Sequence, residues 1–222
     1  MQSVWLPSPN FDSREGRDVS ILVLHYTGMK TGEGALNKLR DAQSKVSAHY
    51  VVDEDGAIYH LVKEDMRAWH AGISSWRGET RVNHHSIGIE IVNPGHEYGY
   101  RNFPDIQMES VIELCKDILV RHTIPARNVV GHSDIAPVRK EDPGELFDWA
   151  WLAREGIGLW PDKAEAGFQM PANEALAKYG YDITDLPKAI IALQRHFRPK
   201  KLDGQWDGEC QAIIGQLLAK AL

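Results

Sequence analysis

Two apolar runs do most to decide what this chain can fold into. They are Ser20-Ile21-Leu22-Val23-Leu24-His25-Tyr26-Thr27-Gly28 and Ser86-Ile87-Gly88-Ile89-Glu90-Ile91-Val92-Asn93-Pro94-Gly95. Such runs suit strands buried on both faces in the middle of a sheet. Each carries one polar residue that needs an explanation. His25 ends the first run, where sheet proteins place ligands; a hydrogen-bonded core histidine is the competing reading. Glu90 interrupts the second, and a buried carboxylate is costly unless it is paired, protonated or beside a cation. A Glu on the exposed face of an edge strand would have polar neighbours at the same-face positions, Gly88 and Val92, and these are not polar. Glu90 therefore needs a metal or a lysine close by.

Other segments supply the frame. Gly34–Asp41 has helical spacing, and the β-rich runs Ser47–Val52 and Ala57–Val62 flank Asp53-Glu54-Asp55-Gly56 as a hairpin. His49 and His60 are placed to point to opposite faces of that hairpin. From Ala68 to Ser86 the chain reads as a long loop rich in Gly, Ser and His, and such loops are often functional. In it Trp69 and His70 are placed to line a cleft, although a Trp covering a core edge fits equally. Met108, Val111, Ile112, Cys115, Ile118 and Leu119 mark an amphipathic helix from about Pro104 to His122. After Pro125, Asn128-Val129-Val130 reads as a short strand that delivers His132 to the same sheet edge as His25. A further helix is expected around Phe147–Leu152.

The segment Gly131-His132-Ser133-Asp134-Ile135-Ala136-Pro137-Val138-Arg139-Lys140-Glu141-Asp142-Pro143-Gly144 concentrates an imidazole, an ammonium and several carboxylates. A residue before proline tends to be extended, so Lys140 and Asp142 share a direction. A lone His–Asp pair is more often structural than metal-binding, but His25 adds a third donor. Two imidazoles and one carboxylate leave a fourth zinc position open, the pattern of a catalytic site, and imidazole dominance favours zinc over magnesium or calcium. Glu90 is then placed to move the proton of an attacking water and Lys140 to stabilise an oxyanion. The chemistry is hydrolysis of an amide or ester.

Composition removes several alternatives. A formal charge of −6 argues against a general nucleic-acid binder. No apolar run is long enough for a membrane span. Cys115 and Cys210 are too few and too far apart for a disulfide framework or a structural thiolate site. The first ten residues have neither a basic nor an apolar signal region, which favours the cytoplasm, with the periplasm as the alternative for a trimmed chain.

The segments LHYTG, SAHYVVDEDG, AWHAG, SIGIEIVNPG and GHSDIAPVRKEDPG, in this order, closely resemble the zinc-dependent N-acetylmuramoyl-L-alanine amidases of the type 2 family, whose fold is related to the peptidoglycan recognition proteins. The resemblance implies an α/β fold: a central mixed β-sheet flanked by helices, followed by a small C-terminal three-helix domain. It implies cleavage of the amide between N-acetylmuramic acid, or its 1,6-anhydro form, and L-alanine of the bacterial peptidoglycan stem. Its partners would be muropeptides, anhydro-muropeptides or intact peptidoglycan, with no obligate protein partner. One zinc per chain falls to His25, His132 and Asp142, and catalysis to Glu90 and Lys140. His49, Trp69 and His70 match segments that border the substrate cleft. Because the whole metal and acid set is present, an active enzyme is expected over a recognition module that binds muropeptide without cutting it, and over a zinc peptidase of other substrates.

Residues 1–155 are the expected catalytic domain, 156–173 a linker packed across it, and 174–222 a helical unit with helices over Asp185–Phe197 and Gln211–Leu222. Leu193-Gln194 and Asp203-Gly204-Gln205-Trp206 resemble a peptidoglycan-binding domain. Asp207, Cys210 and Leu217-Leu218 depart from its pattern, where glycine, threonine and Phe-Gln are usual. The unit contains no catalytic cluster, so its expected role is binding or stabilisation.

Overall fold

The computed structural model describes residues 2–161 and 169–220. In chain order the strands are β1 (Val4–Trp5), β2 (Phe11–Ser13), β3 (Ile21–Tyr26), β4 (Tyr50–Val52), β5 (Ile58–His60), β6 (Met66–Ala68), β7 (Ser86–Ile91) and β8 (Val129–Gly131). The α-helices are α1 (Gly32–Arg40), α2 (Val82–His85), α3 (Gly95–Tyr98), α4 (Asp105–Arg121), α5 (His132–Ile135), α6 (Trp149–Arg154), α7 (Ala172–Tyr179), α8 (Leu186–Phe197) and α9 (Gly208–Lys220).

The two apolar runs form β3 and β7, side by side at the centre of a six-stranded sheet ordered β1-β5-β4-β7-β3-β8. Strands β4, β7, β3 and β8 run parallel, while β4 and β5 form the expected antiparallel hairpin, so the sheet is mixed. Strand β2 pairs with β6 in a separate ribbon. Both faces of the sheet are covered, which is why the central strands lack polar alternation. Side chains alternate along a strand. Leu22, Leu24, Ile87, Ile89 and Ile91 therefore meet Val111, Ile112, Cys115 and Ile118 of α4 on one face. Ile21 and Val23 turn the other way and join Val130, Ile135, Leu176, Leu193, Phe197 and Ile214. The C-terminal helices thus share one apolar cluster with the second face of the sheet. Burying each such Leu or Ile contributes about 1.5–3 kcal/mol, so this contact is a substantial part of the fold.

The expected helices start and end within a few residues of α1, α4, α6, α8 and α9. The expected linker is shorter, because α7 already begins at Ala172; its residues 162–168, and residues 221–222 of the last expected helix, lie outside the described residues. The expected loop over 68–86 contains the end of β6 and the short helix α2. The motif residues of the helical unit bind one another. Gln194 is fully buried; its amide donates to Asp203 Oδ1 and the Gln205 carbonyl, and its Oε1 accepts from the backbone of Asp203 and Gly204. The unusual Asp207 accepts from Arg198 Nη1 at 2.7 Å and from the backbone N–H of Cys210 at 3.0 Å, so it caps the start of α9. Among the described residues no helix is long and apolar enough to cross a membrane.

Candidate metal centre and active-site cleft

The carboxyl ends of the parallel strands converge on one point. In the β3–β7 register His25 lies directly opposite Glu90, on the face turned away from α4. Strand β8 ends at Gly131, and the next residue, His132, starts α5. The chain then returns so that the backbone N–H of Ser133 donates to the Asp142 carbonyl at 2.9 Å, bringing Asp142 beside His132. His25, His132 and Asp142 are buried, at 1%, 4% and 6% exposure. His25 Nδ1 lies 2.9 Å from His132 Nδ1 and 3.1 Å from Asp142 Oδ2, and His132 Nδ1 lies 3.0 Å from the same oxygen.

The outer hydrogen bonds show what these three atoms present to one another. His132 Nε2 is 3.1 Å from the Ala71 carbonyl, which can only accept, so Nε2 carries the hydrogen and Nδ1 is bare in the neutral ring. A longer chain fixes His25. The single hydroxyl hydrogen of Ser86 goes to the Val82 carbonyl at 2.7 Å. Ser86 Oγ therefore accepts from His70 Nε2 at 3.1 Å, leaving His70 Nδ1 to accept from His25 Nε2 at 3.0 Å. His25 Nδ1 is then bare as well. Burial holds His25 neutral, its pKa lowered to about 4. Asp142, the carboxylate of the set, is held ionised far below the usual carboxylate range against the effect of its own burial. Three lone-pair donors thus face one another at 2.9–3.1 Å with no hydrogen to share. Such an arrangement repels itself unless a cation lies among them. They are also the one group of metal-ligating side chains found among the described residues.

A cleft of about 820 Å³ opens over this centre. His132, Asp142, Glu90, Lys140, Trp69 and His70 line it. Burial, followed by the charge of Asp142, pushes the Glu90 carboxyl well above its ordinary pKa, while Lys140 pulls it back. Its Oε2 is buried without a hydrogen-bond partner. The expected residues therefore meet, with one exception. His49 is 0% exposed and does not line the cleft. Its Nδ1 accepts from the Gly88 N–H at 3.0 Å, and its Nε2 sits 2.8 Å from Arg14 and 3.1 Å from the Met66 carbonyl. It packs edge-on against His70 from behind, so contact with substrate is corrected to support of the cleft floor. His70 is itself largely committed to His25 and Ser86.

Sequence reasoning missed part of the lining. Arg139 bonds the carbonyls of Ala71 and Ile73, at 2.9 Å and 3.0 Å, tying down the loop that holds His132. Lys188, Ile191 and Arg195 of α8 form another wall. Their spacing marks them as one helix face, but nothing local announces that this face meets the cleft.

A model of the type 2 amidase family, described as N-acetylmuramoyl-L-alanine amidase, matches residues 15–145. The chain belongs to the N-acetylmuramoyl-L-alanine amidase family. The amidase is 41% identical to AmiD of Escherichia coli K12, over 91% of this chain and 83% of AmiD. It is 35% identical to the 1,6-anhydro-N-acetylmuramyl-L-alanine amidase AmpD of Citrobacter freundii, over 65% of this chain and 85% of that protein. The solved complex of E. coli AmiD with anhydro-N-acetylmuramic acid-L-Ala-D-γ-Glu-L-Lys superposes with a TM-score of 0.81 at 39% identity, covering 94% of this chain and 90% of that one. AmpDh3 of Pseudomonas aeruginosa gives 0.82 at 34% identity, over 96% and 94%. The amidase hydrolyses the amide between N-acetylmuramic acid and L-alanine in peptidoglycan material.

Proposed function

We propose that His25, His132 and Asp142 hold one zinc ion and that the amidase acts on anhydro-muropeptides. The meeting of three bare donor atoms carries the metal assignment, and their chemistry fits zinc: two neutral imidazoles, one carboxylate and a side open to the cleft. Zinc, when bound, supplies a Lewis acid that polarises the scissile carbonyl and acidifies water.

The chain's own residues supply the rest. Glu90 takes the proton of the attacking water and passes it to the leaving nitrogen of L-alanine. Its shielded position favours the protonated form that this second step requires. The Lys140 ammonium stabilises the oxyanion that forms as the carbonyl is attacked. Trp69 offers an apolar surface to the substrate, and His70 orients His25. The anhydro preference rests on the AmiD complex and on the AmpD relatives.

Mass spectrometry after incubation with an anhydro-muramyl tripeptide, with intact sacculi and with the bare stem peptide tests this function. The expected result is free stem peptide, released fastest from the anhydro-muropeptide, with the bare peptide left whole. Comparable cutting of the bare peptide, or no release from either glycan, contradicts it.

A further inference from the structure

Segment 131–145 carries His132, Lys140 and Asp142, and α8 grips it at both ends. At the start, Asp134 is 1% exposed and accepts three hydrogen bonds: from the Gly131 N–H at 2.7 Å, from Tyr181 Oη at 2.8 Å and from His196 Nδ1 at 2.7 Å. The His196 ring is itself stacked between Trp149 and Phe197, with ring centres 3.8 Å from each. At the far end, Arg195 pairs with Glu141 at 3.8 Å and with Glu145 at 3.7 Å. The same two glutamates pair with His96 from the opposite side, at 3.5 Å and 3.2 Å. Arg195 is 7% exposed, lines the cleft, and its buried Nε has no hydrogen-bond partner. Consecutive residues on a helix point about 100° apart, so Arg195 and His196 reach different parts of the segment from one turn.

We propose that α8 is a positioning element of the catalytic centre: His196 fixes the turn that presents His132, and Arg195 fixes the loop that presents Lys140 and Asp142. The helical unit is then a working part of the active site and not only a wall anchor. A cover for the sheet needs only apolar contact. A buried carboxylate shared by a tyrosine, a histidine and a backbone amide specifies one geometry and is costly when any partner is lost. The proposal rests on the reading of the centre as a zinc amidase.

The test uses the full chain with two pairs of variants, Arg195→Met against Arg195→Lys and His196→Leu against His196→Asn, in which the second member keeps the donor. Zinc affinity by chelator competition, kcat and KM on the anhydro-muropeptide, and Tm are measured for each. Arg195→Met is expected to lower kcat by about tenfold or more with KM changed by less than about twofold, and Arg195→Lys to recover most of it. His196→Leu is expected to weaken zinc binding by about 10- to 100-fold, and His196→Asn to restore it. If kcat and zinc affinity stay within about twofold in the Met and Leu variants, or only KM rises, α8 is a substrate wall or a cover and the proposal is overturned. Should His196→Leu fail to fold, the Arg195 pair decides alone. A parent protein that binds no zinc and releases no peptide overturns the underlying assignment, whatever the variants do.

Discussion

Glu90 carries its carboxyl into a place where burial and Asp142 favour the acid form, yet the proton transfer proposed for it also requires accepting a proton. Replacing it with glutamine keeps the shape and removes the proton transfer. Glu90→Gln should lower kcat by about 10²- to 10⁴-fold and leave zinc content unchanged, which steady-state kinetics and metal analysis check together. His49 makes the opposite point, a titratable group whose consequence lies in stability. Burial, with Arg14 adding to it, lowers its pKa from 6.5 to about 3. Above pH 6.5 neither the folded nor the unfolded chain protonates it, and its contribution is intact. As pH falls from there towards about 3, the unfolded chain binds a proton that the folded one refuses, so stability is lost. Denaturant unfolding at several pH values across this window should show that loss, and His49→Gln should flatten the slope. His25 and His132 were legible in the sequence because each sits at or just beyond a strand end, and Asp142 because it precedes a Pro-Gly turn in the same short polar segment as His132. That His49 would be sealed behind the cleft was not, since a histidine in a hairpin carries no mark of its depth.

At the scale of elements, β7 shows how closely the strands and the site are fitted. A Cβ built on Gly88 runs into the His70 ring, whose Nδ1 receives the hydrogen bond from His25. Gly88→Ala should therefore cost about 1–3 kcal/mol of stability and reduce activity more than an alanine placed elsewhere in the sheet. Thermal unfolding and kinetics of the variant check both parts. The long elements were legible because their apolar pattern is local: β3, β7 and α4 each announce themselves within one run of residues. The elements that escaped, β1, β2, β6, α2, α3, α5 and α7, are two to four residues long except α7, which has eight and follows a Gly- and Pro-rich stretch. They exist through partners distant in sequence, as α5 does through the bonds of Asp134 to Tyr181 and His196.

For the molecule as a whole, the apolar cluster joining the sheet to the C-terminal helices predicts mutual dependence. A chain ended before Ala172 loses the cover over Ile21, Val23, Val130 and Ile135. Its Tm should fall and it should bind a hydrophobic dye that the full chain does not; an unchanged Tm and no dye binding would contradict the shared core. The helices α8 and α9 were legible from their apolar spacing, and the turn between them from its Asp-Gly-Gln-Trp motif. The approach of α8 to the cleft was not, because pairs such as Arg195 with Glu145, or His196 with Asp134, span fifty residues or more and leave no periodic trace.

The central claim is that three bare donor atoms beneath one cleft hold the zinc that the amide hydrolysis needs. It is tested most directly by stripping the protein with a chelator, returning zinc in measured steps and following peptide release from an anhydro-muropeptide. Activity should vanish on stripping, rise in proportion to zinc, level off at about one equivalent per chain, and fail to return in Asp142→Ala. Cleavage that survives stripping, or a zinc response in Asp142→Ala equal to that of the parent, would contradict the account.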